Sequence, residues 1–195
     1  MSGQPKLRYT LEEYFALERE SGERYEYFDG EVFCMSGVQP THSRLGARLA
    51  YLLGGPAEER GCHLFDSALR VLVPTLPPYR YPDMSALCGQ PEFEEVGGLL
   101  CLTNPTLLIE ILSPSTAFFA WDRKFRHYQS IPDFCEYLLI AQDRIAVTQF
   151  VKQGANAWLR SDYGPGDTIQ PASPGCALNL DELYRGINFA SESGF

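Results

Sequence analysis

The stretch Leu107-Leu108-Ile109-Glu110-Ile111-Leu112 is apolar on both faces of an extended chain, with one acid inside it. Such a run suits a central strand, because only a strand covered on both sides hides both alternating sets of side chains. The chain therefore needs a sheet with a layer packed on each face. Alternation puts Glu110 on the face of Leu108 and Leu112. An ionised carboxylate there costs several kcal/mol unless it is paired or bound to a cation. A structural ion pair with Arg or Lys and a role as cation ligand both satisfy that requirement.

The flanking sequence supplies the layers. TLEEYFALERE predicts a first helix, capped by Thr10 with Glu13 three residues on and apolar positions at Leu11, Tyr14, Phe15 and Leu17. RYEYFDGEVFCM predicts a hairpin turned at Asp29-Gly30. THSRLGARLAYLL carries a helical stripe of Leu45, Leu49, Leu52 and Leu53, ended or interrupted by Gly54-Gly55-Pro56. CHLFDSALRVLVP holds one or two strands, PTLPPYRYP is a proline-rich connection, and DMSAL is a strand. PEFEEVGGL is polar enough to predict an exposed loop.

FFAWDRKFRHYQS is amphipathic, with Phe118, Trp121, Phe125 and Tyr128 on one helical face and a stop at Ile131-Pro132. EYLLIA and RIAVTQFVKQ are strands separated by Gln142-Asp143, and the remainder gives further strands and a short terminal helix around LDELY. The order predicts an α/β fold, a mixed β-sheet flanked by helices. A length of 195 residues suits a single domain spanning 1–195.

Several function classes drop out. There is no GxGxxG fingerprint, no P-loop and no GxSxG elbow. No apolar run approaches the ~20 residues that span a bilayer, and the first residues lack a secretory core, so a cytoplasmic protein without a membrane partner is expected. The net charge of −9 opposes avid, non-specific binding to a phosphate backbone. Arg123, Lys124, Arg126 and His127 form the one dense basic cluster. Cysteines at 34, 62, 88, 101, 135 and 176 show no CxxC pair and no zinc spacing, so reduced, mostly buried thiols are expected.

Four further residues are candidates for chemistry. Asp83 follows Pro82 and opens DMSAL, so it is either a turn residue or a second carboxylate converging with Glu110 on a hard cation. Lys124 lies at the border of the apolar face of its helix, either snorkelling at the rim of the core or aiming its ammonium at Glu110. Glu26 alternates with Tyr25 and Tyr27 in the first hairpin strand. His42 stands in the first turn of the second helix, as a hydrogen-bonder at the helix end or a ligand.

With YEYFDGEV, THSRL, YPDMSAL, NPTLLIEILSPST and KFRHYQSIPDFCEYLLI in view, the chain resembles the Uma-two family over roughly residues 9 to 185. These are restriction-endonuclease-like proteins of the PD-(D/E)XK nuclease superfamily. The resemblance implies Mg²⁺ or Mn²⁺ held by Asp83 and Glu110, with the carbonyl of Ile111 as a further ligand. It implies Lys124 as the catalytic lysine, displaced from the usual strand position, here Leu112, to the following helix. Glu26 would assist the metal shell and His42 would contact phosphate. The implied activity is metal-dependent endonucleolytic hydrolysis of phosphodiester bonds in DNA.

One departure is Ala120, where family members carry an aspartate; Asp122 stands nearby. It favours, together with the acidic charge, the alternative of a catalytically degenerate nuclease fold that binds nucleic acid or protein. A metal-free structural protein with a buried Glu110–Lys124 salt bridge is the other alternative. A monomer and a homodimer are both left open.

Overall fold

A computed structural model describes residues 8–35, 37, 39–75, 78–113 and 123–189. Helix α1 (Leu11–Ser21) starts in a capping box, the Thr10 hydroxyl accepting the Glu13 N–H while the Glu13 carboxylate accepts that of Thr10. Asp29 and Gly30, both at positive φ, turn β1 (Tyr25–Phe28) onto β2 (Glu31–Cys34).

Helix α2 (Pro40–Glu58) runs through Gly54-Gly55-Pro56 instead of stopping there. Pro56 falls in the last turn, where its missing N–H removes one helix bond, and Leu53 and Ala57 stay buried on either side of it. Next come β3 (Cys62–Asp66), β4 (Arg70–Leu72), β5 (Tyr79–Arg80) and β6 (Met84–Cys88).

The segment expected to be an exposed loop is a hairpin, β7 (Phe93–Val96) and β8 (Leu99–Leu102), joined by Gly97-Gly98. Both glycines have positive φ, and a β-carbon on Gly97 would collide with the Phe15 ring. The acidic side chains masked a glycine-pair hairpin turn.

The apolar run forms β9 (Leu107–Leu112). Residues 118–122, the first part of the amphipathic segment with Phe118, Ala120, Trp121 and Asp122, lie outside the described residues. Within the rest, α3 (Phe125–Tyr128) buries Phe125 and Tyr128 as their spacing requires. The chain closes with β10 (Glu136–Ala141), β11 (Val147–Gly154), β12 (Ala157–Tyr163), β13 (Thr168–Ile169), β14 (Leu178–Asn179) and α4 (Leu180–Leu183).

The main sheet has the order β12-β11-β10-β9-β6-β3, with β9 parallel to β10 and the other pairs antiparallel. On one face, Leu45, Leu49 and Leu53 of α2 and Leu180 and Leu183 of α4 pack on Ile109, Ile111, Leu138 and Ile140. On the other, Leu108 and Leu139 meet Phe125, Tyr128, Phe134 and Tyr137, joined by Val71 and Leu102 of a second sheet ordered β5-β4-β8-β7. Tyr14, Tyr79 and Tyr81 link α1 to that second sheet. The result is the mixed sheet flanked by helices that the sequence predicts, with β9 at its centre.

The cysteine expectation needs correcting. Cys62 and Cys88 are register partners on β3 and β6 and form a disulfide, while Cys34 is exposed. Antiparallel pairing brings two β-carbons together whatever their spacing in sequence, so a search for CxxC could not detect the bond. Cys101 and Cys176 are buried, as expected.

Candidate functional site

Glu110 is 5% exposed, on the face of β9 that also carries Leu108. Its charge is met from α3 and the residue before it. Lys124 Nζ donates to Oε1 at 3.2 Å and Oε2 at 3.1 Å, and the Tyr128 hydroxyl donates to Oε1 at 2.8 Å. Burial pushes the Glu110 pKa up, Lys124 pulls it part of the way back, and Asp83 and Glu26 push it up again, to about 7.

The pairing of β6 with β9 ends at Met84 opposite Ile109. Continuing that register by one residue sets Asp83 across from Glu110, where the strands part. There the Asp83 carboxylate replaces the missing ladder bond, Oδ2 accepting the Ile111 N–H at 2.7 Å. Pro82 lacks the N–H that a further step of ladder would need. The neighbouring carbonyl of Leu112 accepts from Gln142 on the β10 side. The Ile111 carbonyl therefore faces the β6 side, past the end of β6 and beside Asp83.

His42 Nε2 lies 3.2 Å from Asp83 Oδ1. His42 thus engages the acid directly, from the α2 side of the sheet. Glu26 does not join it there. Carried by β1 in the opposite layer and 4% exposed, Glu26 places Oε1 2.8 Å from Lys124 Nζ. That contact is a close ion pair rather than an aligned hydrogen bond, since Oε1 has no donor along its lone pairs among the described residues.

Lys124 is thus clamped between two acids and 5% exposed, settling its border position in favour of the interior. Burial pulls the ammonium's pKa down, but Glu110 and Glu26 outweigh it and leave it raised. The cluster Arg123–His127 is consequently no continuous surface patch. Lys124 faces the acids, and His127 Nδ1 lies 3.0 Å from Arg80 Nη2, leaving Arg123 and Arg126 as its exposed members.

Three buried polar residues escaped sequence reasoning. Tyr128 appeared only as an apolar-face residue. Arg80, fully buried within the proline-rich connection, donates to the Tyr27 carbonyl at 3.0 Å and lies 3.5 Å over the Phe28 ring. Burial lowers its pKa and Glu26 raises it back in part. Glu18 accepts from Tyr79, Tyr81, Arg70 and the Tyr25 N–H, a saturated acid that ties α1 to the second sheet. Position 18 follows Leu11, Tyr14 and Phe15 by seven, four and three residues, so the helical stripe itself pointed to an acid on the buried face.

A cleft of about 340 Å³ opens beside Asp83 and His42. Ser43, Gly46, Ala47 and Ala50 of α2 form one wall, and Arg24, Asp66 and Ser67 stand among the residues opposite. Small side chains at successive turns of α2 keep it open.

The donors suit a hard cation. No cluster of three or more His, Cys, Asp or Glu ligands occurs among the described residues. A cation here would therefore rely on two carboxylates, a backbone carbonyl and water, the shell Mg²⁺ or Mn²⁺ favours over Zn²⁺. Glu110 Oε1 already accepts two hydrogen bonds, whereas Oε2 and Asp83 Oδ2 each accept one and Asp83 Oδ1 has the close contact with His42. Each of those three oxygens keeps a lone pair.

The family model Uma2, described as "Putative restriction endonuclease", matches residues 11–181. The chain is 31% identical over 185 residues to "Uncharacterized protein slr1290" of Synechocystis sp., covering 95% of both chains. It is 33% identical over 153 residues to "Uncharacterized protein sll1609" of the same organism, covering 78% of this chain and 86% of the other. A crystal structure of a "putative nuclease belonging to DUF820" from Anabaena variabilis superposes with TM-score 0.71 at 20% identity, covering 90% of this chain and 97% of that one. The shared fold is restriction-endonuclease-like.

Proposed function

The chain belongs to the Uma2 family, and from that premise we propose that it is a Mg²⁺- or Mn²⁺-dependent nuclease that hydrolyses phosphodiester bonds in DNA. The observation that carries this is Asp83 standing across from buried Glu110 at the point where β6 leaves β9. A cation held there would draw on these two carboxylates and the Ile111 carbonyl, next to a cleft.

A bound divalent ion would supply Lewis-acid activation of a phosphoryl oxygen and of water. The chain's own residues do the rest. Asp83 is held by the Ile111 N–H and His42, so its free lone pairs keep one direction. Glu110 is held by Tyr128 on Oε1 and by Lys124 on both oxygens, with a lone pair of Oε2 left over. Lys124 keeps its proton and offers a fixed positive charge where negative charge develops on the phosphate. Glu26 anchors Lys124 and stays out of the ligand set, and His42 acts on phosphate only through or beside Asp83.

One observation favours a second role, a degenerate nuclease fold that binds without cleaving: Lys124 already neutralises Glu110 without any metal. Calorimetric titration with Mn²⁺ and a plasmid-nicking assay separate the two. Metal binding with metal-dependent nicking, both lost in Glu110→Gln, supports the nuclease. Absence of Mn²⁺ binding by the wild type refutes it.

A further inference from the structure

Beyond the centre built on Asp83 and Glu110, the geometry points to Arg24 as the anchor for a substrate phosphate in the adjoining cleft, gripping a phosphodiester of the bound DNA strand; this rests on the nuclease function proposed above. Among the described residues, Arg24 is the one arginine or lysine lining that cleft, which it shares with His42 and Asp83. The strand bound there must bring phosphates to a chain of net charge −9, so a local cation carries weight that the bulk charge denies.

The residue is fixed at both ends. Its carbonyl accepts the Met35 N–H at 2.8 Å, pinning the backbone to the entry of β1. Its Nη1 donates to the Ser67 carbonyl at 2.6 Å and the Ser67 hydroxyl at 2.8 Å, pinning the guanidinium to the end of β3. Nη1 is thereby saturated, while Nε and Nη2 have no hydrogen-bond partner among the described residues. Those two nitrogens form the edge of the guanidinium that grips phosphate oxygens in a fork.

Among the described residues, what is missing is a counter-ion. Arg70 pairs with Glu18, Arg48 with Glu182, Arg144 with Asp143, Arg160 with Asp162 and Arg185 with Glu182. Among the described residues no such pair involves Arg24. Asp66, the acid nearest in sequence to Ser67, turns Oδ1 to the Ala68 N–H. A rigid arginine in a cleft, without an acid of its own, is preorganised for an anion that arrives from outside.

The test uses the full chain with a fluorescent duplex oligodeoxynucleotide in EDTA, so that binding is read without cleavage. Anisotropy is measured across a salt series for the wild type, Arg24→Gln and Arg24→Lys, beside Mn²⁺ titration and thermal melting of each. Loss of one phosphate contact should weaken Arg24→Gln binding about tenfold and lower the salt slope by about 1. Arg24→Lys should keep the slope, and Mn²⁺ affinity should stay unchanged in both.

Equal affinity and slope in Arg24→Gln would overturn the proposal. So would a loss of Mn²⁺ binding in that variant, which would make Arg24 a structural residue. If Arg24→Gln does not fold, Ser67→Ala tests the same grip, with weaker oligonucleotide binding expected and unchanged binding overturning it. A wild type that binds Mn²⁺ but no oligonucleotide sinks the anchor and leaves the metal centre standing; one that binds neither sinks both.

Discussion

The Tyr128 hydroxyl donates to Glu110 Oε1 at 2.8 Å, inside a core where both residues are at most 5% exposed. That bond, with the one from Lys124, saturates Oε1, while Oε2 accepts from Lys124 and keeps a lone pair. Tyr128→Phe removes the donor and leaves the ring. A hydrogen bond to a charged group contributes about 1.5–3 kcal/mol, so urea denaturation should show a loss in that range. Mn²⁺ binding should weaken as well, because Glu110 then swings between two equivalent oxygens. Unchanged stability and unchanged Mn²⁺ affinity together would show the bond to be idle.

Lys124 shares its ammonium between Glu110 and Glu26, and both acids are buried. Lys124→Met keeps the stem's bulk and strips away the charge. Breaking a buried pair while leaving the partner behind costs about 3–5 kcal/mol. The loss should be smallest in acid, where the stranded Glu110 protonates, and grow as pH rises above its unfolded value of 4.5. Denaturation at several pH values reads this directly. A uniform loss at all pH values would mean that packing, not charge, is what Lys124 provides.

Much of this site was legible in the sequence because apolar surroundings make a polar residue conspicuous. Glu110 stands out in LLIEIL, and Asp83 after Pro82 at a strand start could be read as its partner. Arg80 was hidden by the prolines of PTLPPYRYP, which suggest surface loop, although they bracket the short strand β5. Tyr128 was hidden by its ring, which satisfied the helical stripe and left the hydroxyl unexamined. Glu26 and His42 were found, but their division between the two faces of the sheet depends on which layer covers which face. Local periodicity carries no such information.

The Cys62–Cys88 disulfide links neighbouring strands and closes a loop with sequence separation 26. Loop closure of that order contributes about 2–4 kcal/mol through the unfolded chain. Reduction should lower the denaturation midpoint accordingly, and Cys62→Ala/Cys88→Ala should match the reduced protein. Non-reducing peptide mapping should recover the 62–88 cross-link. Recovery of both peptides as unlinked thiols would return these cysteines to the reduced state expected from their spacing.

Metal binding at Glu110 should be coupled to protons. Burial raises its pKa to about 7, above the unfolded value, so the folded protein holds a proton there that the unfolded chain has released. By linkage, this group's contribution to stability is full below pH 4.5 and is lost as pH rises through about 7. A cation requires the deprotonated form and must expel that proton. Mn²⁺ affinity should therefore rise between about pH 6 and about pH 8, with fractional proton release falling over the same interval. Calorimetry in buffers of different ionisation enthalpy measures the released protons. Glu110→Gln should abolish both the binding and the release. In Asp83→Asn a carboxylate that raises the Glu110 pKa is gone, so residual binding should persist to lower pH at weaker overall affinity. Wild-type affinity independent of pH across that interval would place the cation away from Glu110.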